Sequence, residues 1–308
     1  MPDYSQLPKK HLRPLIAALI LLLLPTIACA QQAGSTGNTG IELEVSRQES
    51  IYHSRGELRL EGYVIDRSLS SYGDALAHGF ERALAALGPQ DRWLDIGAGQ
   101  GLAILDYYAP VNDSAPAGKS SSKAHAVAMS IEDRRTPRWK QTASLLGTDQ
   151  LQYLYSKRLR EYSTAEIGKF QIISDVIGGF SYTEDLSLFM EKVLGMLTVN
   201  GNFYGVLQDV RSEQGLNKPH YAGAPFLTEV RAAGEDIGVC AWLKRISCVE
   251  VSCHLQSDWV PQIESYRVRK LCDDVKVPAL ERFHFISGTP PERGFRLISP
   301  MPTKPAAP

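Results

Sequence analysis

Short apolar runs alternate with segments of helical spacing through the middle of this chain. Trp93–Ile96, Ala124–Ile131, Leu151–Tyr155, Phe170–Ser174 and Asn202–Leu207 are compact apolar runs that predict buried strands. Tyr72–Leu87 places Leu76, Phe80, Ala83, Leu84 and Leu87 on one face, which predicts a helix stopped by Gly88-Pro89. Leu102–Tyr108, Arg138–Leu146 and Asp185–Leu197 predict further helices, the last closed by Asn200-Gly201, and Pro225–Ala233 begins another. Val249–His254, Ser265–Arg269 and Arg282–Ile286 predict more strands. Strands alternating with helices imply an α/β fold: a mostly parallel sheet flanked by helices, with a β-rich C-terminal portion completing the sheet. No internal repeat is visible.

The N-terminus reads differently. Lys9, Lys10, His11 and Arg13 precede the apolar run Leu15–Leu24, Pro25 ends it, and Ala28-Cys29-Ala30 matches a small-x-small cleavage site. Residues 1–30 therefore read as a signal peptide that leaves Gln31 first. Two other fates stay open: lipidation of Cys29 in the loose lipoprotein box Thr26-Ile27-Ala28-Cys29, or retention as an anchor, although Pro14–Ala30 is short for a bilayer span. The expected location is the periplasm or inner membrane; a wrongly assigned start would instead leave the chain cytoplasmic. Residues 31–50 read as a disordered tail, 51–299 as one domain, and 300–308 as a flexible Pro-rich tail.

Composition narrows the partners. The formal net charge of the 308 residues is −1, so no general electrostatic pull toward nucleic acid or acidic lipid exists, and membrane contact is expected only through the leader. Beyond the leader four cysteines remain, Cys240, Cys248, Cys253 and Cys272. In an exported chain an even, clustered set suggests two disulfides with three possible pairings; the alternative is four buried thiols.

The chemistry concentrates in Trp93-Leu94-Asp95-Ile96-Gly97-Ala98-Gly99-Gln100-Gly101, an apolar strand ending in an acid, then a glycine-rich turn into a helix. Such a turn admits φ > 0 and lets a ligand approach the backbone. The spacing is G-x-G-x-G; a dinucleotide fingerprint would need its third glycine at Leu102, which speaks against a nicotinamide or flavin nucleotide. The segment resembles motif I of class I S-adenosylmethionine-dependent methyltransferases, and the resemblance runs over roughly Tyr72–Leu207. It implies a Rossmann-like fold with S-adenosylmethionine as cofactor, held by Asp95, Gly97, Ala98, Gly99 and Gly101.

That family ends its second strand with an acid that accepts from both ribose hydroxyls. Glu132 holds the matching place, 37 residues after Asp95, with Asp133 as the fallback. About 20 residues is the spacing of a comparable ribose acid, and the Ser/Pro-rich stretch Val111–Lys123 accounts for most of the excess as a loop. Ser174-Asp175-Val176-Ile177-Gly178-Gly179 matches the position of motif IV. The resemblance implies that Asp175 faces the methionine end of the cofactor or the methyl acceptor; the other reading is that Asp175 caps its turn. Two departures stand out. Ser156 and Lys157 replace the acid that often contacts the adenine amine, and motif IV lacks the Asn/Asp-Pro-Pro-aromatic box of enzymes that methylate nucleobase amino groups.

Other motifs carry nothing. Ala117-Gly118-Lys119-Ser120 ends like a P-loop, but Asp113 stands where the first glycine must be. The seven histidines lack metal-ligand spacing, so no metal site is expected. No G-x-S-x-G elbow occurs. The expected function is methyl transfer from S-adenosylmethionine to a small-molecule or protein acceptor. Asp175, Tyr182 and Asp209 are candidate bases, none of them singled out. The alternative is an exported, non-catalytic binding or interaction protein that retains a methyltransferase-like fold.

Overall fold

The computed structural model describes residues 66–76, 79–108, 123–208, 228–256, 263–286 and 292–298. The expectations for the leader, both tails, the loop at 111–122 and Asp209 lie outside these residues.

Five short apolar runs become the parallel strands β1 (Arg92–Ile96), β2 (His125–Met129), β3 (Leu151–Leu154), β4 (Phe170–Val176) and β5 (Leu197–Gln208). Their order is β3-β2-β1-β4-β5. The chain works outward from β1 through β2 to β3, then returns to the far side of β1 for β4 and β5. Strand order therefore reverses between β1 and β4, the place where open α/β sheets leave a crevice at their carboxyl ends. Two later strands, β8 (Val249–Gln256) and β9 (Ile263–Lys270), complete the sheet in the order β5-β9-β8. β9 runs antiparallel to both of its neighbours. The chain thus has a Rossmann-like α/β fold whose sixth position is an antiparallel strand, unlike the parallel sixth strand of a dinucleotide-binding sheet.

Side chains alternate across each strand, which divides the core in two. Trp93 on β1 joins a cluster with Tyr72 and Leu76 of α1 (Leu69–Leu76), Phe80 of α2 (Phe80–Ala85), Ile104 of α3 (Leu102–Tyr108) and Trp139 of α4 (Pro137–Leu146). Leu94 and Ile96 face the other way. They join a cluster with Ile167 of the single turn α5 (Thr164–Ile167), Phe180 of α6 (Gly179–Tyr182), Val193 of α7 (Leu186–Met196) and Trp242 of α8 (Gly238–Leu243). Fully burying an aromatic or large aliphatic side chain stabilises by about 1.5–3 kcal/mol, so these two layers supply most of the driving force. Local signals start the helices. Thr136 accepts the Trp139 N–H at 3.2 Å with Pro137 in the first helical position, and Asp185 accepts the Leu188 N–H at 2.8 Å.

Three expectations are corrected. The helix over Tyr72–Leu87 is two helices, because Gly79 takes φ 79° at the start of α2. The described part of Pro225–Ala233 is not helical: β6 (Thr228–Ala232) is a strand whose Thr228 and Val230 turn inward at period two. Only part of the C-terminal region completes the main sheet. β6, β7 (Glu235–Asp236), β10 (Leu280–Ile286) and β11 (Glu292–Leu297) form a second sheet in the order β10-β11-β6-β7. It docks through Val230 and Phe295 onto the cluster that contains α7.

The four cysteines form two disulfides, Cys240–Cys253 and Cys248–Cys272. This is the interleaved one of the three pairings, and it ties α8, β8 and the chain beyond β9 together. No described helix is long and apolar enough to cross a membrane. Non-reducing digestion with cleavage at Arg245, Glu250 and Arg267 is expected to recover these two linked pairs as separate peptides. The double substitution Cys248→Ser/Cys272→Ser is expected to lower unfolding free energy by about 3 kcal/mol. Recovery of a different pairing would refute the register of β8 against β9.

Candidate cofactor-binding site

The glycine turn leaves β1 at the strand-order reversal. Gly97, Gly99 and Gly101 take φ values of 73°, 56° and 74°. Gly97 and Ala98 both donate their N–H to the Met129 carbonyl, at 2.9 and 3.0 Å, which fixes the turn on the end of β2. Gly97 is exposed, whereas Ala98, Gly99 and Gly101 are buried. A Cβ on Gly97 would lie 2.7 Å from Gly178 Cα, so the loops after β1 and β4 touch backbone to backbone. Gly101 serves another purpose: a Cβ there would stand 2.2 Å from the Trp139 ring. The third glycine therefore makes room for α4.

The two acids at the strand ends point to opposite faces. Asp95 pairs with Ser174 and Ile96 pairs with Asp175 in the β1–β4 register. Asp95 is fully buried; its Oδ2 accepts from the Tyr72 hydroxyl at 2.9 Å and its Oδ1 from the Ser174 hydroxyl at 2.7 Å. Trp93 Nε1 donates to the same Ser174 oxygen at 2.8 Å. Burial raises the Asp95 pKa from 3.8 to about 7, while the hydrogen bonds from Ser174 and Tyr72 hold it down.

Asp175, also fully buried, accepts the Gly178 N–H at 2.8 Å and the Phe180 N–H at 2.9 Å. Those bonds hold Ile177 at φ 55°, a left-handed conformation that costs a β-branched residue about 1–3 kcal/mol. Burial raises its pKa to about 7, opposed by the Phe180 and Gly178 N–H groups and by the charge of Arg293. Asp175 makes the hydrogen bonds of the turn-cap reading, and its charge also raises the Asp95 pKa.

Glu132 is half-buried beyond the end of β2, three residues after Met129 rather than at the strand terminus. Its neighbour Asp133 is exposed and committed to Arg135 in a two-point ion pair at 2.7 and 2.6 Å. The residue that brings Glu132 to the glycine turn is Tyr153 of β3. Its hydroxyl donates to the Gly99 carbonyl at 2.5 Å and lies 3.4 Å from the Glu132 carbonyl. Tyr153 also packs edge-on against Trp139, centroids 5.1 Å apart.

Sequence reasoning missed Tyr153, Tyr72 and Ser174; only the register of distant strands reveals them. It also missed Asp66, whose carboxylate accepts the Gln100 N–H inside the turn at 2.7 Å. Ser156 and Lys157 follow β3 as expected, with Ser156 at φ 68°. Cys240, Cys253 and Glu264 cluster closely enough to suggest a metal centre, but both sulfurs are in a disulfide.

No family model and no curated protein matches the sequence. Solved structures do. An rRNA methylase from Streptococcus thermophilus is 11% identical, covering 62% of this chain and 93% of its own, with a TM-score of 0.38. The N-methyltransferase NodS from Bradyrhizobium japonicum is 17% identical over 62% of this chain and 92% of its own, with a TM-score of 0.37. The same protein in complex with S-adenosyl-L-homocysteine gives 14%, 62%, 83% and 0.37. These neighbours are methyltransferases. The fold assignment rests on the strand order and register described above.

Two predictions follow from this geometry. Gly101→Ala is expected to cost about 2–4 kcal/mol, since its methyl meets the Trp139 ring in a left-handed conformation. Gly147→Ala, also at positive φ but with nothing within 4 Å, is expected to cost about 1 kcal/mol. Equal losses in melting experiments would refute the packing role of Gly101. For Asp95, the folded state keeps its proton between about pH 4 and 7, where the unfolded chain has lost it. Folding takes up that proton, so this contribution to stability is present below pH 4 and is lost as pH rises to about 7. Asp95→Asn, which keeps partners for both hydroxyls, is expected to flatten the fall in melting temperature between pH 5 and 8. A slope equal to wild type would refute the raised pKa.

Proposed function

We propose that this chain binds S-adenosylmethionine at the carboxyl ends of β1 and β2 and transfers its methyl group to a small-molecule or protein acceptor. One observation carries the reading: the Tyr153 hydroxyl lies between the main-chain oxygens of Gly99 and Glu132, so the main chain that bears the acid after β2 is tied to the glycine turn after β1. The residues fit the cofactor. Gly97 presents exposed backbone with no Cβ at the mouth of the turn. Glu132 supplies a carboxylate for the vicinal ribose hydroxyls, and Gly99 with Ala98 shapes the turn between them. Asp95 acts by holding the turn rather than by touching the cofactor, since Tyr72 and Ser174 engage both of its oxygens. Asp175 holds the facing loop in the same way.

When bound, the sulfonium supplies an activated methyl group, and the protein's task is to hold the acceptor in line and keep water out. Tyr182, half-buried at the end of α6, is the described candidate for contact with the acceptor.

The two disulfides favour a second reading. Such bonds persist in oxidising compartments, and together with the leader they point to export. S-adenosylmethionine is made and used inside cells. In that reading the chain is an exported binding protein that keeps the fold without the reaction.

Calorimetric titration of S-adenosylhomocysteine into the purified chain separates the two. Micromolar affinity, about −8 kcal/mol, is expected for the methyltransferase reading. Glu132→Ala is expected to weaken binding by about 1–3 kcal/mol through lost charge-assisted hydrogen bonds. No heat from correctly folded, disulfide-bonded protein would leave the binding-protein reading standing.

A further inference from the structure

One face of the β8–β9 hairpin gathers two sulfurs and a carboxylate. Cys253 stands opposite Tyr266 and Leu255 opposite Glu264 in the β8–β9 register, so these four side chains share that face. Cys240 of α8 joins them: its sulfur, the Cys253 sulfur and a Glu264 oxygen all lie within 4.8 Å of one another, and all three residues are half-buried. The Tyr266 hydroxyl, on a fully buried ring, donates to Glu264 Oε2 and orients the carboxylate.

More than the disulfide holds α8 in this place. Val239, Trp242 and Leu243, around Cys240, are fully buried in the core, and Trp242 Nε1 donates to the Pro278 carbonyl at 3.0 Å. Reduction of Cys240–Cys253 therefore leaves two thiols and a carboxylate close together on α8, β8 and β9. Two thiolates and a carboxylate suit zinc, whereas calcium and magnesium take oxygen ligands alone. Zinc binds cysteine sulfur at about 2.3 Å and carboxylate oxygen at about 2.0–2.2 Å, so its tetrahedral ligands stand about 3.5 Å apart. Donor atoms already within 4.8 Å reach that spacing by small side-chain rotations. The bond from Tyr266 to Glu264 is the outer contact that a ligating carboxylate needs to keep its orientation.

We infer that the reduced chain binds one divalent cation of the zinc type through Cys240, Cys253 and Glu264, so that disulfide and metal centre are alternative states of one site. A dithiol reductant gives two electrons to the disulfide and leaves as a cyclic disulfide, and two cysteine thiols form. The cation then displaces one proton from each thiol and accepts electron pairs from both sulfurs and from Glu264. Water takes the fourth position, which the half-burial of all three ligands leaves open. Cys248 and Cys272 take no part: among the described residues they have no third donor within the same reach. In an oxidising compartment the disulfide excludes the metal; in a reducing one the metal replaces the disulfide as the tie between α8 and β8. The inference does not rest on the methyltransferase reading.

The test uses the full chain, reduced with dithiothreitol, freed of it anaerobically and titrated with Co²⁺, whose charge-transfer and ligand-field bands report tetrahedral thiolate coordination. Reduced wild type is expected to take up one Co²⁺ per chain and to release about two protons, and Zn²⁺ is expected to displace the Co²⁺. The disulfide-bonded chain is expected to show no bands. Cys248→Ser/Cys272→Ser is expected to bind within about 3-fold of wild type, Cys240→Ser/Cys253→Ser to lose the bands, and Glu264→Gln to weaken binding by about 10-fold or more. Zn²⁺ is also expected to raise the melting temperature of the reduced chain. Metal binding to such a site supplies folding free energy even where the reduced chain starts unfolded. A reduced chain that takes up no Co²⁺ and gains nothing in melting from Zn²⁺ would therefore overturn the inference in either case. Binding that survives Cys240→Ser/Cys253→Ser would overturn it too, and Glu264→Gln equal to wild type would overturn the three-ligand site.

Discussion

A buried carboxyl holds the candidate site together. Asp95 ends β1 in a core position and receives one hydroxyl from α1 and one from β4. Three elements distant in sequence therefore meet at one side chain, next to the turn that a ligand would use. Burying a charge without partners costs several kcal/mol, so the arrangement persists only because both oxygens are satisfied and the proton is retained up to about pH 7. With Tyr72 removed from the carboxyl, α1 would keep its apolar packing but lose its registration on the turn. Asp66, bonded to the Gln100 N–H, precedes α1 on the same short stretch.

The facing loop is built on the same principle with the opposite polarity of partners. Asp175 satisfies two backbone N–H groups, and the bonds hold Ile177 in a conformation that few residues of its shape adopt. Gly178 follows because a Cβ there would stand 2.6 Å from the Ile96 carbonyl. The underside of this loop is closed by Arg293 of β11, fully buried, which donates to the Phe180 and Thr183 carbonyls at 2.9 and 2.8 Å and to Thr228 at 2.8 Å. The second sheet is thereby clamped to α6, and the loop after β4 is rigid from both sides. Strain concentrated at a strand-order reversal, and braced on every side, is what a preformed ligand crevice requires.

The glycine turn was legible because its signal is local: an apolar run, an acid and three glycines within nine residues impose one backbone shape whatever surrounds them. The parallel strands were legible for the same reason. Asp175 was ambiguous because two neighbouring residues at the end of a strand face opposite ways, and only the pairing of Ile96 with Asp175 decides which face each one takes. Tyr153 and Ser174 carry no local mark; their roles come from β3 lying two places from β1 on one side and β4 lying next to β1 on the other. β6 was misread since five residues, Thr228–Ala232, are too few to separate a period of two from one of 3.6. The cysteine count announced disulfides, but the interleaved pairing depends on the register of β8 against β9, where Cys253 stands opposite Tyr266.

The two properties that pull the functional reading apart are also apart in the fold. The disulfides fasten the β8 edge of the main sheet, whereas the glycine turn follows β1, with β9, β5 and β4 between them. Oxidation therefore strengthens one end of the molecule without entering the crevice. A described link between the ends is the Gln256 side chain at the end of β8, which donates to the Ala75 carbonyl of α1 at 2.8 Å. The disulfides and the contacts around Asp95, Tyr153 and Glu132 are thus separate parts of this chain.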